Sequence, residues 1–321
     1  MVEGVNMYIG IDLGGTNIGI GIVDGNNNLI YKTSMPTKQN VGFKEIADDM
    51  IFLINKVLFD AKLSMDQLKG IGIGVPGIVD PKTFKIIECV NLKWRDVSIK
   101  EYIEEIIDVP VFIGNDATVA GVAEYAIGAM KGFNMGVLLT LGTGIGAGII
   151  INKKIYDGAH GIGSEIGHLI VGENYYDCNC GRNGCLETFC SSTAIIRYSQ
   201  KLIKDGKESI ISELVENDLS KINGKIIFQA AKFNDDVANM VIDRMVKYLA
   251  IGIVNTISVL DPEVIVIGGG LSAAGDFLLL KLKKEVVKRM YFKGAKISEI
   301  VLSKIGNDGG IIGAANLCIY H

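Results

Sequence analysis

At 321 residues the chain is long enough for two domains of roughly 150 residues each, and its 49% hydrophobic and 21% charged content is that of a folded interior. Its 36 acidic and 32 basic residues leave a formal charge of −4, which argues against a nucleic-acid partner because no broad positive surface is available. Glycine is the outlier, 40 residues against 5 prolines, clustered in apolar runs where tight turns and close backbone approaches are expected.

Met1 to Asp12 carries Glu3 and Asp12, no basic n-region and no cleavage site, so no secretory leader is read and a cytoplasmic location is expected. Tyr8 to Ile11 and Ile18 to Val23 read as strands around the turn Gly14-Gly15-Thr16, with a third strand at Leu29 to Thr33. Asp12 ends the first strand, where a carboxylate either holds a phosphate-bound magnesium or caps the turn. From Phe43 to Ala61, residues Ile46, Met50, Leu53, Ile54, Val57 and Leu58 recur at helical spacing, and a strand follows at Gly70 to Val75. Gly72, Gly74 and Gly77 have the spacing of a dinucleotide fingerprint, but Pro76 and Pro81 stand where its helix must begin. No G-x-x-x-x-G-K-[ST] loop exists, so a bound nucleotide must be held by other turns.

Lys100 to Ile107 reads as a helix, Val111 to Gly114 as a strand and Ala117 to Met130 as an alanine-rich helix. Asn115-Asp116 lies at this strand-to-helix junction, the carboxyl edge on which open α/β sheets build sites. Asp116 is therefore either the helix N-cap or, kept ionised by the helix N-terminus, a base for an attacking hydroxyl.

Gly132 to Asn152 contains no charge and is long enough to span a bilayer, yet six glycines with Asn134, Thr140 and Thr143 divide it. Two strands, Met135 to Leu141 and Ile145 to Ile151, joined at Gly142-Thr143-Gly144, make a buried hairpin and exclude the membrane reading. Gly15 to Val23 aligns without a gap to Gly142 to Ile150, the mark of a duplicated α/β unit. In both copies alternate glycines bare one strand face, and the turns are either plain tight β-turns or sites whose amides, with the Thr16 and Thr143 hydroxyls, offer the donors a triphosphate needs.

Asp157 to Glu187 is an insertion rich in Gly, Cys and His. His168, Cys178, Cys180 and Cys185 form a ligand set for tetrahedral zinc; the rival is a disulfide, disfavoured by the cytoplasmic setting and by the unclustered Cys89 and Cys318. Cys190 reads as a core residue. A metal in this loop would also fix Glu165 and Glu187, which bracket it and either suit sugar hydroxyls or are exposed surface acids. Val264 to Ile267 is an apolar strand running into Gly268-Gly269-Gly270-Leu271, either a plain strand-to-helix loop or a place where bare backbone would let adenine lie flat.

Together these residues resemble the ROK family (repressors, open reading frames, kinases), a sugar-kinase branch of the actin and hexokinase superfamily, nearly end to end. The likeness is carried by Asp12-Leu-Gly-Gly-Thr16, Leu141-Gly-Thr-Gly-Ile-Gly146, Ile267-Gly-Gly-Gly-Leu271, Glu165-Ile-Gly-His168, and Cys178-Asn-Cys-Gly-Arg-Asn-Gly-Cys-Leu-Glu187. The resemblance implies an α/β fold of two lobes built from duplicated RNase H-like sheet units, with an interlobe cleft and a zinc-binding insertion at 157–187. The small lobe would be 1–117 with 308–321, and the large lobe 118–307.

It further implies an ATP-dependent kinase acting on the 6-hydroxyl of a hexose, glucose first, with fructose, mannose, N-acetylglucosamine and N-acetylmannosamine as alternatives. Asp116 would be the catalytic base, with Asn115, Glu165, His168 and Glu187 on sugar hydroxyls. Asp12, Gly14, Gly15, Thr16, Asn17, Thr143 and Gly144 would surround the phosphates and magnesium, and Gly268, Gly269, Gly270 and Leu271 the adenosine. His168 would share zinc with Cys178, Cys180 and Cys185 while its other nitrogen faces the sugar. Ser164 and Cys190 depart from the family pattern and leave the subfamily open. Family repressors carry a winged-helix module ahead of the first phosphate motif; only eleven residues precede Asp12, so a kinase is expected over a repressor, with a non-catalytic sugar sensor as the other reading. The resemblance also implies a homo-oligomer, most often a dimer.

Overall fold

The computed structural model describes residues 6–306 and 308–321; residues 1–5, part of the stretch read for a leader, and residue 307 lie outside it. The chain opens with β1 (Met7–Leu13), β2 (Asn17–Asp24) and β3 (Leu29–Pro36), then α1 (Phe43–Ala61) and β4 (Leu68–Val75). A small antiparallel sheet follows from β5 (Ile78–Val79), β6 (Ile86–Cys89) and β7 (Trp94–Val97), and α2 (Ile99–Glu104), β8 (Val111–Asn115) and α3 (Asp116–Ile127) complete the half. The main sheet has the order β3-β2-β1-β4-β8, antiparallel from β1 outward to β3 and parallel from β1 through β4 to β8. Ile9, Ile11, Ile20, Ile71 and Ile73 are fully buried in it, and they share one core with Ile46, Met50, Ile54 and Val57 on the apolar stripe of α1. That helix ends where Lys62 turns left-handed, at φ 56°.

The second half repeats the plan with β9 (Met135–Leu141), β10 (Ile145–Ile151) and β11 (Lys154–Ile155). The insertion leads into α4 (Glu187–Cys190), α5 (Ser192–Lys204), α6 (Ile210–Leu214), α7 (Gly224–Lys232) and the long α8 (Asp236–Leu260), before β12 (Val264–Gly268), α9 (Asp276–Arg289) and β13 (Glu299–Leu302). Its sheet order, β11-β10-β9-β12-β13, matches the first strand for strand. The sequence echo is therefore a topological one: each copy is a hairpin whose first strand sits beside a later strand of its half, and β12 and β13 run parallel as β4 and β8 do. No helix among the described residues is long and apolar enough to cross a membrane.

The contacts divide the chain into two compact units, Met1–Gly136 with Gly148–Ser164 and Lys304–His321, and Val137–Ala147 with Glu165–Ser303. In the first unit the final helix α10 (Gly309–Tyr320) packs on α3 and on β1 and β4. The approach is backbone to backbone. A Cβ on Gly10 would lie 1.9 Å from the Ile311 carbonyl oxygen, and one on Gly72 1.7 Å from that of Ala314. Two of the glycines that give these strands their repetitive look thus exist to admit a helix.

Gly72→Ala should lower stability by about 3 kcal/mol, since neither backbone can yield locally. Gly306→Ala, where a Cβ meets nothing within 4 Å, should change it by less than about 0.5 kcal/mol. Urea titrations of the two variants check the difference.

Candidate functional site

In the first unit, β1 delivers Asp12 to the carboxyl edge of its sheet, and the chain reverses through Gly14 to Asn17. Gly14 N–H donates to the Asn17 carbonyl (2.9 Å), closing the turn. Two residues beyond β2 and β3 brace it from outside: the Thr37 hydroxyl donates to Gly14 O (2.8 Å) and the Gln39 amide to Gly15 O (2.5 Å). Asp12 lies against Gly310 at the start of α10, where a Cβ would fall 2.3 Å from Oδ2, and burial pushes its carboxyl above the usual range. A cavity of about 620 Å³ opens here, bounded by Asp12, Gly14, Thr16, Asn17, Lys32 and Asp308, with Lys32 paired to Asp308 at 2.6 Å.

Strand register sets the next group. Asp12 is opposite Gly74, and Gly74 opposite Gly114, so Asn115-Asp116 emerges on the same edge two strands away, roughly 10 Å at ordinary strand spacing. Asn115, not Asp116, is the N-cap of α3: its side-chain oxygen accepts from Ala117 N (2.8 Å), and its amide donates to Gly77 O (2.9 Å). Asp116 is the first helical residue, with Oδ1 accepting from the same Ala117 N–H (2.8 Å). The capping duty that sequence allowed to Asp116 is thus mostly taken by its neighbour.

In the second unit, Gly142 N–H donates to Gly144 O (3.0 Å) across the β9–β10 turn. The start of α5 is tied to that turn: Ser192 N–H donates to Gly142 O (2.8 Å) and the Thr193 hydroxyl to Thr143 O (2.8 Å). Beside it sits the cysteine cluster. The ligand atoms of His168, Cys178, Cys180 and Cys185 lie within 4.8 Å of one another, with Cys178 Sγ 3.7 Å from His168 Nδ1 and Cys180 Sγ 3.6 Å from Cys185 Sγ. A tetrahedral zinc with bonds near 2.1–2.3 Å spaces its ligands by about 3.5–3.8 Å, so the donor set fits that ion with little contraction. All three thiols are free of disulfides.

Local backbone builds this cluster. Gly181, at φ 84°, turns the chain so that its N–H reaches Cys178 O (2.9 Å), and Cys178 N–H returns to Arg182 O (2.8 Å). The backbone N–H of Arg182, and then its guanidinium, hold the exposed Cys180 thiol down to about 6, which favours the thiolate a metal requires. Burial, and then a hydrogen bond to Glu187, push the Cys178 thiol up. That thiol donates to Glu187 Oε1 at 2.9 Å, while a Cβ on Gly144 would fall 2.8 Å from Glu187 Oε2. The Glu187 carboxylate thus stands between the cluster and the second glycine turn. His168 directs Nδ1 at the cysteines and Nε2 at Glu165, 3.8 Å from Oε2.

The third glycine motif follows β12. Gly269 takes φ 78° and lies so close to β9 that a Cβ would sit 2.5 Å from Leu141 N. Gly270 and Leu271 then border a cavity of about 510 Å³ whose other wall is one face of α7, from Gly224, Phe228 and Lys232. Sequence reasoning missed this wall, although the i, i+4, i+8 spacing of those residues marks a single helical face. It also missed Thr37 and Gln39, for which no local signal exists.

The ROK family model matches residues 8–320. A glucokinase of Halalkalibacterium halodurans is 37% identical over 307 residues, 95% of this chain and 93% of that one. A xylose repressor of Caldicellulosiruptor bescii is 30% identical over 317 residues, 98% of this chain and 78% of the repressor. The crystal structure of a ROK family glucokinase from Streptomyces griseus in complex with glucose and AMPPNP superposes with a TM-score of 0.79 at 29% identity, covering 98% of this chain and 99% of that one. With both glycine turns, the cysteine-histidine cluster and the third glycine motif placed as described, a match this complete means that the chain belongs to the ROK family.

Proposed function

We propose that the chain is an ATP-dependent hexose kinase that transfers the γ-phosphoryl group to the 6-hydroxyl of glucose. The observation that carries this reading is the first sheet's register, which puts the glycine turn, Asp12 and Asp116 on one carboxyl edge. The relative named glucokinase, and the Streptomyces griseus structure with glucose and an ATP analogue, support the substrate pair.

Asp116 accepts the proton of the 6-hydroxyl as that oxygen attacks the γ-phosphorus; the bond to the β-γ bridging oxygen breaks and ADP leaves. The transition state is loose, so most of the catalysis is positioning and charge neutralisation. Turn amides at Gly15–Thr16 and Thr143–Gly144 supply donors where glycine leaves the backbone bare. Asp12, whose burial disfavours a lone charge, would hold magnesium, which neutralises phosphate charge when bound. Asn115, Glu165, His168 and Glu187 hold sugar hydroxyls, and the apolar wall of Leu271 and Phe228 takes the adenine ring. His168, Cys178, Cys180 and Cys185 would hold a structural zinc, which supplies rigidity to the loop bearing Glu187 and takes no part in the transfer.

Asp116→Asn should bind glucose with near wild-type affinity and lose about 10²- to 10⁴-fold in kcat. A coupled ADP-release assay over a panel of hexoses measures both the rate and the preferred sugar; a variant with wild-type kcat refutes the role of Asp116, and a wild type that turns over none of them makes the chain a sensor.

Metal analysis of freshly purified protein should find about one zinc per chain, and Cys180→Ser should lose the metal together with most of its glucose affinity. Full sugar binding by metal-free protein would show that the cluster does not support the sugar site.

A further inference from the structure

The zinc ligands hold Glu187 chiefly from one side: Cys185 precedes it by two residues, and beyond it the cluster reaches Thr188 through the Cys185 carbonyl, which accepts from Thr188 N–H (2.9 Å). A wider network holds Thr188 and Phe189. Asn174, in the strap between His168 and Cys178, donates its side-chain amide to both Thr188 O (2.8 Å) and Thr188 Oγ1 (2.9 Å). The Tyr176 hydroxyl donates to the same carbonyl (2.7 Å), and Thr188 Oγ1 donates to Cys185 O (2.7 Å). An asparagine side chain can do this only if its amide is held the right way round, and two donors on Asn174 Oδ1 hold it so: the neighbouring Tyr175 N–H at 2.9 Å and, from α8, Arg244 Nη2 at 2.8 Å.

Arg244 is itself unusually confined. Its guanidinium lies over three rings, 4.5 Å from the centroid of Tyr198, 4.6 Å from Phe189 and 5.5 Å from Tyr248, and Phe189 is the residue after Thr188. A cation so stacked is stabilised by ring faces and gains direction from its planar fork, which a lysine lacks. The rings belong to α4, α5 and α8, so Arg244 joins the strap, the Glu187 turn and two framework helices at one point.

We propose that Arg244, acting through Asn174 and Thr188, is a positioning residue for Glu187: a latch that holds the sugar-side carboxylate from its C-terminal flank while the metal holds the N-terminal flank. The role of Glu187 rests on the function proposed above; the mechanical part, an ordered 185–190 turn that depends on Arg244, does not. Neither Arg244 nor Asn174 is among the residues assigned above to sugar or zinc.

The test uses full-length, zinc-loaded protein and the variants Arg244→Met, Arg244→Lys and Asn174→Ala. Calorimetry with glucose, the KM for ATP, zinc content and hydrogen exchange over residues 185–190 are measured on each. Arg244→Met and Asn174→Ala should weaken glucose binding about tenfold and reduce amide protection in 185–190 by a similar factor, with zinc near one equivalent and the KM for ATP unchanged. Arg244→Lys should keep the wild-type thermal midpoint but not restore the sugar affinity. The double variant should be no worse than Asn174→Ala alone, because both changes remove one linkage.

Unaltered glucose affinity and protection in the single variants would overturn the proposal. So would additive losses in the double variant, or a fall in zinc content and a rise in the KM for ATP in step with the sugar, since that is general destabilisation. If the wild type binds no hexose, it is the proposed function that fails, and the exchange measurement alone then decides whether Arg244 orders the turn.

Discussion

The glycine turns proposed to hold the phosphates depend on main chain being reachable where a side chain would ordinarily stand. A polyphosphate carries charge on all sides and is best met by amide donors that converge without intervening bulk. The first glycine turn meets that condition, and its shape is set by the hydrogen bond Gly14 N–H donates to the Asn17 carbonyl and by those donated from Thr37 and Gln39, not by packing of its own side chains. The same absence of Cβ atoms lets α10 lie directly on β1 and β4, which brings the start of that helix to Asp12. One residue type therefore serves the scaffold and the site, and the two uses are distinguishable only in three dimensions.

Much of this was legible from the order of residues. The hairpin strands Met135–Leu141 and Ile145–Ile151 and the helix Phe43–Ala61 coincide with the expected spans, because each is long, strongly periodic and bounded by turn residues. Ends were less accurate: α3 stops at Ile127 instead of Met130, since Gly128 caps it. The little sheet β5–β7 passed unnoticed because strands of two to four residues carry no usable period. The cysteine-histidine set was found from spacing alone, since its three cysteines lie within one short segment with the tightly turned Gly181 and Gly184 between them.

What sequence did not yield is the support around those groups. Asn174, Tyr176 and Arg244 carry no motif, and the contact of Arg244 with Asn174 joins residues 70 apart. Such partners are set by how α8 crosses the insertion, and a single sequence holds no trace of that crossing. The face of α7 opposite Leu271 is a middle case: its helical period is plain, but only packing shows which cavity it borders.

The two halves of the chain share a sheet order yet differ in the segment that leaves the third strand. After β3 the chain passes almost at once into α1; after β11 it detours through the whole insertion before α5 begins. Placing the added chemistry there leaves both sheets undisturbed, which is how loops acquire function on a rigid frame. The detour also returns to the frame at a telling point. Its last turn carries Glu187, and shortly beyond it Ser192 and Thr193 hydrogen-bond the Gly142–Thr143 backbone. The group that would hold the sugar and the turn that would hold the phosphates are thus fastened to each other through the start of α5, five residues beyond Glu187.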